Sequence, residues 1–249
     1  MSFRNGKNIL KRFIAYLGLF TFSHMCVAKV TVSINQQYYE FATEPRLVEV
    51  LAKVANDANW YWPATNLYRL ETDEPSQLRN DIVARLKLVQ SSANKNKSTQ
   101  INNLIEQISA WKLAKRIGIK IDYDLAQTNP KFNPRFDEGK YLLNVTLRSN
   151  TFSVFGLVKQ ETPILLDKHQ CAQTYIHEHF SALINKDNIF IIQPDGHTFK
   201  TGIAYWNAGC VDIMPGSQIY LPLEESQFFS NNSELNKLIV ELALDRIVQ

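Results

Sequence analysis

The sequence predicts an α+β protein: two β-grasp domains, one carrying a helical-hairpin insertion, followed by a C-terminal amphipathic helix. Three observations predict it. Residues 151–223 run strand, helix, strand hairpin, then a Pro-Gly turn into a last strand. One helix laid across a small mixed sheet is a two-layer β-grasp arrangement. Residues 30–54 open in the same order, so the chain reads as two related units. Between them, two helical repeats flank a polar tip, which is the pattern of an antiparallel helical hairpin at about residues 75–113. The predicted boundaries are a signal peptide at 1–28, domains at 29–148 and 149–226, and the terminal helix at 227–249.

The N-terminus sets the compartment. Arg4, Lys7, Lys11 and Arg12 precede an apolar run at residues 13–22, too short to span a bilayer and suited to a signal-peptide core. Cys26 and Ala28 supply small residues where a signal peptidase reads, so cleavage is expected after Ala28. A lipoprotein would need a small pair before Cys26, where His24-Met25 stands. An uncleaved membrane anchor is the alternative. The whole chain is +3, but the leader holds four basic residues and no acidic one, leaving −1 after cleavage. No basic stripe survives to suggest nucleic acid.

The mature chain, about 220 residues at 45% hydrophobic composition, can bury one large core or two small ones, and the pattern favours two. Residues 30–34 and 38–41 alternate like a hairpin. Pro45 suits the first turn of a helix in which Leu47, Val50, Leu51 and Val54 share one face. In the insertion, Leu78, Ile82, Leu86 and Val89 mark one helix, and Ile101, Leu104, Ile105, Ile108 and Trp111 another. Residues 117–123 and 141–147 return to strand patterns across a loop with Pro130, Pro134 and Gly139. In the second unit, residues 151–158 form a strand, 171–180 a short helix, and 188–192 a strand running into Pro194-Asp195-Gly196. Met214-Pro215-Gly216-Ser217 launches the last strand at 218–223. Ser233 is placed to N-cap a final helix to about residue 248, whose polar stripe is narrow: Lys237, Glu241 and Asp245. At about 24 Å it is short of a hydrocarbon core of about 30 Å. That length favours packing on its own domain, with a membrane-surface or docking helix as the functional alternatives.

Cys171 and Cys210 are the two cysteines left after cleavage. In an oxidising compartment they could close one disulfide, from the helix start to the loop before the last strand; two separate buried thiols are the alternative.

Several segments resemble the GfcC-type capsule biosynthesis proteins of Gram-negative bacteria. They are Trp60-Tyr61-Trp62-Pro63, residues 116–124 (RIGIKIDYD), Asn133-Pro134, Gly139 to Tyr141 with Arg148, Ala204-Tyr205-Trp206-Asn207 and Pro215-Gly216-Ser217-Gln218. Each is weak alone, but together, in order, they cover nearly the whole mature chain. The resemblance implies a periplasmic protein with β-grasp domains like those of outer-membrane polysaccharide exporters. It implies a role in capsule or related surface-polysaccharide production or export. Exporter domains commonly carry an acidic residue after this Pro-Gly; Ser217 stands there instead.

The candidate ligand-binding residues are Arg116, Trp60, Trp62, Lys120, Asp122, Tyr205, Trp206 and Asn207. Arg116 leads them. It lies where the two units are expected to meet, and a guanidinium offers planar, bidentate recognition of a carboxylate or of vicinal oxygens. The family-like segment adds Lys120, Asp122 and Asp124. The competing reading is a structural ion pair between Arg116 and one of those aspartates. Trp60 and Trp62 offer faces for a sugar ring, yet their alternation on a strand would put both in the core. Tyr205 and Trp206 are read the same way, with Asn207 closing a turn. His177 and His179, two apart on a helix, diverge too far to share a metal and are read as solvated. Asp122 with Asp124, and Asp137 with Glu138, lack the pattern of a glycosidase pair. No nucleophile elbow, P-loop or dinucleotide-binding glycine pattern is present. The expectation is a non-enzymatic protein with no cofactor or metal. Its partner would be a surface polysaccharide or the polysaccharide-export machinery, with no nucleic acid. Membrane contact would come only through the C-terminal helix.

Overall fold

A computed structural model of the chain describes residues 29–166, 170–180, 187–225 and 230–248. The leader and its cleavage site lie outside the described residues. The chain is α+β: among the described residues, ten strands form two five-stranded mixed sheets.

The first sheet holds β1 (Val30–Ile34), β2 (Gln37–Phe41), β3 (Asn66–Arg69), β4 (Lys115–Ile117) and β5 (Gly139–Asn144), in the order β2-β1-β5-β3-β4. The β1–β2 hairpin turns through Asn35 and Gln36, both at positive φ. β1 runs parallel to β5, and every other pair is antiparallel. The second sheet holds β6 (Thr151–Gly156), β7 (Thr162–Leu165), β8 (Asn188–Ile192), β9 (Thr198–Gly202) and β10 (Gln218–Leu221), in the order β7-β6-β10-β8-β9. Here β6 and β10 are the parallel pair. The two sheets therefore share one strand order: an opening hairpin, first and last strands paired at the centre, then two antiparallel strands.

A helix crosses one face of each sheet. In the first half this is α1 (Leu47–Leu51), shorter than its apolar repeat suggested, with Val54 reached by further turns. It packs with Val30, Val32, Leu67 and Leu143. In the second half α5 (Ala172–His179) sets Tyr175 and Ile176 against Val154, Ile189, Ile191 and Ile219.

The inserted hairpin behaves differently. α2 (Glu74–Ser91) and α3 (Lys95–Ser109) belong in sequence to the first half, yet they cover the second sheet. Asn94 caps α3 by accepting from the Lys97 N–H at 3.0 Å. Ile82, Leu86, Leu104 and Ile108 pack with Phe155, Phe190 and Tyr220, on the face opposite α5. Gln107 ties α3 to the second sheet directly, accepting from Gly156 N and donating to Gly156 O, both at 3.1 Å. A helix layer thus lies on each face of that sheet.

The C-terminal helix α6 (Ser230–Leu244) completes this layer, burying Leu235, Ile239, Leu242 and Ala243 in the same core. Ser233 lies within the helix rather than capping it, and the helix stops short of residue 248. Its tail leaves the helical path to pair with the first half: Ala114 N donates to Asp245 O at 3.0 Å, and Ile247 N to Lys112 O at 2.9 Å. Asn236, fully buried, fixes α6 to the end of β10 by accepting from Leu223 N and Tyr220 Oη and donating to Leu223 O.

The apolar stretch at 117–123 is a strand only as far as Ile117. Asp122 then accepts from Leu125 N at 2.9 Å and caps α4 (Tyr123–Thr128), a helix that the alternating isoleucines conceal. The Trp-x-Trp alternation is not a strand either, because Trp62 begins a 3-10 turn through Ala64, with Pro63 inside it.

Candidate functional site

β4 is an edge strand, and Arg116 sits opposite Tyr68 of β3. The Arg116 N–H donates to Asp245 Oδ1 at 2.8 Å, and its guanidinium Nη2 donates to the Pro194 carbonyl at 2.8 Å. One residue thereby holds the α6 tail on one side and the β8–β9 turn on the other. Gly196 in that turn has φ +97°, and a Cβ there would stand 3.1 Å from the guanidinium carbon. The turn needs glycine for its backbone and to seat the arginine. Among the described residues no carboxylate lies within 4.0 Å of this guanidinium, so the competing reading, an ion pair with Asp122 or Asp124, is not what the structure shows. Burial pushes the Arg116 pKa down from its ordinary value and the Tyr68 phenol up to about 12.

Around Arg116 a cleft of about 750 Å³ opens between the two halves. Trp62, Lys115, Lys120 and Asp122 line it from the first half; Asp195, His197 and Met214 line it from the second. Lys120 is exposed, with its ammonium 5.7 Å from the Phe132 ring. His197 Nδ1 lies 3.0 Å from Asp195 Oδ2. A second cavity, about 950 Å³, lies on the other side of Arg116, where Asn144, Thr146 and Ser153 meet Trp111 and the α6 tail. Arg246 closes its wall, forming a bidentate pair with Glu161 at 2.8 and 3.0 Å and lying 5.0 Å from the Trp111 ring centroid. The volumes of both suit small ligands.

The structure therefore brings Arg116, Trp62, Lys120 and Asp122 to one cleft. It does not bring Trp60 there. Trp60 packs partly buried against the first core, and its Nε1 donates to Val54 O at 2.7 Å. Asp195, His197 and Met214 had no signal as site residues. Pro194-Asp195-Gly196 announces a turn, and only the tertiary fold sets that turn against Arg116.

Two family models match the chain in sequence order: capsule biosynthesis GfcC, N-terminal, over residues 26–148, and capsule biosynthesis GfcC C-terminal over 162–248. The chain belongs to the GfcC capsule biosynthesis family. It is also 29% identical over 195 residues to the uncharacterized protein YjbG of Escherichia coli (strain K12), covering 77% of this chain and 79% of that one.

Other residues of this GfcC-family chain fall outside the cleft. Cys171 and Cys210 are bonded, with Cα atoms 5.0 Å apart, and a backbone bridge from Cys171 to Asp212 runs beside them. Tyr205 and Trp206 are not core residues: Tyr205 is fully exposed and Trp206 is 75% exposed. Asn207 does close their turn, accepting from Ala204 N at 3.0 Å and donating to Asp187 O at 2.9 Å. His177 is bound rather than solvated, its Nε2 lying 2.8 Å from Ile203 O. Ser217, where exporter domains carry an acid, is 1% exposed and bonds inward to Gln193 and the Met214 carbonyl.

Proposed function

We propose that this GfcC-family protein is a periplasmic accessory protein of capsule or surface-polysaccharide biosynthesis that binds saccharide without cleaving it. The observation that carries this reading is the cleft between the halves, where a half-buried guanidinium, an exposed lysine and Trp62 converge. Cations paired with an aromatic face suit the hydroxyls, carboxylates and apolar ring faces of a sugar. Each half is read as a β-grasp unit, supported by the central parallel pairing of first and last strands. Export rests on the leader pattern in the sequence.

The rival reading is an adaptor that docks on an exporter through α6. It has less support, because α6 spends its apolar face on the second sheet. Membrane contact through that face would require undocking the helix.

The test is a titration of the purified protein with the source organism's own surface polysaccharide and its repeat oligosaccharides, followed by heat and Trp fluorescence. Saturable binding and unchanged polymer length are expected. Lys120→Ala should weaken binding about tenfold, the scale of one lost charge-assisted hydrogen bond, with an unchanged melting temperature. Arg116→Ala is the less clean variant because Arg116 also holds the β8–β9 turn. Shortened polymer would make the protein an enzyme, and absent binding would return the weight to the adaptor.

A further inference from the structure

We infer that Tyr205 and Trp206 form a second saccharide contact, a rigid aromatic knuckle outside the cleft, which grips the polymer rather than its single repeat. This rests on the saccharide-binding reading above and extends it. Of the four tryptophans, Trp111 is buried and Trp60 and Trp62 are partly buried; only Trp206 faces solvent. Its neighbour Tyr205 is the most exposed of the large hydrophobic residues described.

The loop beneath them is built to hold this exposure. Ile203 and Ala204 at its root are buried, at 1% and 7% exposure. The chain folds back so that Gly202 pairs with Ala208, and Gly209 N donates to Gly202 O at 3.1 Å. A Cβ on Gly202 would overlap the Asn207 carbonyl. Asn207 closes the turn with both side-chain atoms, and the Cys171–Cys210 bond ties the loop's far end to the start of α5. Two aromatic rings are therefore presented at little ordering cost.

The size of the patch points to its ligand. Two such rings offer about 500 Å² at most, against roughly 800 Å² per partner in a standard protein interface. A pyranose needs only a flat apolar face and a few polar edges, which Trp and Tyr supply together. Asn207 uses its Oδ1 and one Nδ2 proton to hold the loop. The contact is weak and tolerant of sequence, and it gains force only when the same polymer also occupies the cleft.

The experiment compares the parent with a Tyr205→Ala/Trp206→Ala double variant across a ladder of polymer lengths, from one repeat to long chains. In the parent, affinity should climb with length and iodide quenching of Trp206 should fall on binding long chains. In the double variant, single-repeat affinity and melting temperature should be unchanged, while long-chain affinity drops about tenfold. An equal rise with length in both proteins overturns the knuckle alone and leaves it to a protein partner. If the parent binds no length at all, the saccharide reading falls, and this one with it.

Discussion

The two sheets share a strand order and differ in what covers them. The first keeps β2 largely exposed, while α1 and α4 pack on the face of Val32 and Leu143. The second is buried on both faces along its central strands β6, β10 and β8: Val154, Ile189, Ile191 and Ile219 point to α5, and Phe155, Phe190, Ile192 and Tyr220 to the hairpin and α6. That second layer is borrowed, since α2 and α3 are inserted between β3 and β4 of the other sheet. The halves are related as topologies and coupled as a folded object. Their junction, where Arg116 sits, is set by three layers at once: the edge strand, the β8–β9 turn and the α6 tail.

The strongest way to break this comparison is to end the chain before Ser230. Removing α6 uncovers Phe155, Phe190 and Tyr220 and leaves Leu223 N, Leu223 O and Tyr220 Oη without Asn236. The apolar surface newly exposed to water costs roughly 25 cal/mol per Å², and the hydrogen bonds to Asn236 are exchanged for bonds to water. The expected product aggregates, judged by soluble yield and dye binding to exposed apolar surface. A soluble, cooperatively melting truncation would show that the second half carries its own core and would revive α6 as a docking element.

Leu104→Ala and Leu51→Ala sharpen it. Both leucines are fully buried, one in the inserted hairpin and one in α1. Each substitution should cost about 2–5 kcal/mol. Hydrogen exchange separates them. Leu104→Ala should lower the protection of β8 and β10, strands of the half to which it does not belong in sequence. Unchanged exchange in those strands would mean the hairpin rests on the second sheet without supporting it.

Much of the α+β pattern was legible because local chemistry wrote it. The i, i+3, i+4 repeats of α2 and α3 come from a helix with one buried face, and the run at 188–192 from a strand with two. The failures have equally local causes. Ile117, Ile119 and Ile121 alternate like a strand, but only Ile117 pairs in β4; Ile119 and Ile121 pack on the first core beyond it, along a segment that Asp122 ends by capping α4. Tyr205-Trp206 reads as core because most aromatic pairs are, and nothing in four residues reveals that Asn207 holds them outward. The cleft was half legible. Arg116, Lys120, Asp122 and Trp62 carried a signal, whereas Asp195 and His197 reached the site through long-range folding alone.

The smallest effect concerns the junction's buried acid. Asp245 is 4% exposed, accepts the Arg116 N–H and stands 3.5 Å from Lys115 Nζ, with Lys115 itself also facing Glu74. Burial pushes its pKa up, Glu241 adds to the rise, and the Arg116 N–H and Lys115 oppose it. A carboxyl raised in the folded state binds its proton more tightly there than in the unfolded chain. Its contribution is therefore complete below the ordinary value of 3.8 and is lost as pH climbs through the raised one. Asp245→Asn keeps an acceptor for Arg116 and removes the titration. The difference in melting temperature between variant and parent should move in the variant's favour as pH rises from 3 toward neutrality, then level off. Movement the other way would mean that the Lys115 contact outweighs burial, making the ammonium the group that holds α6 to the first half.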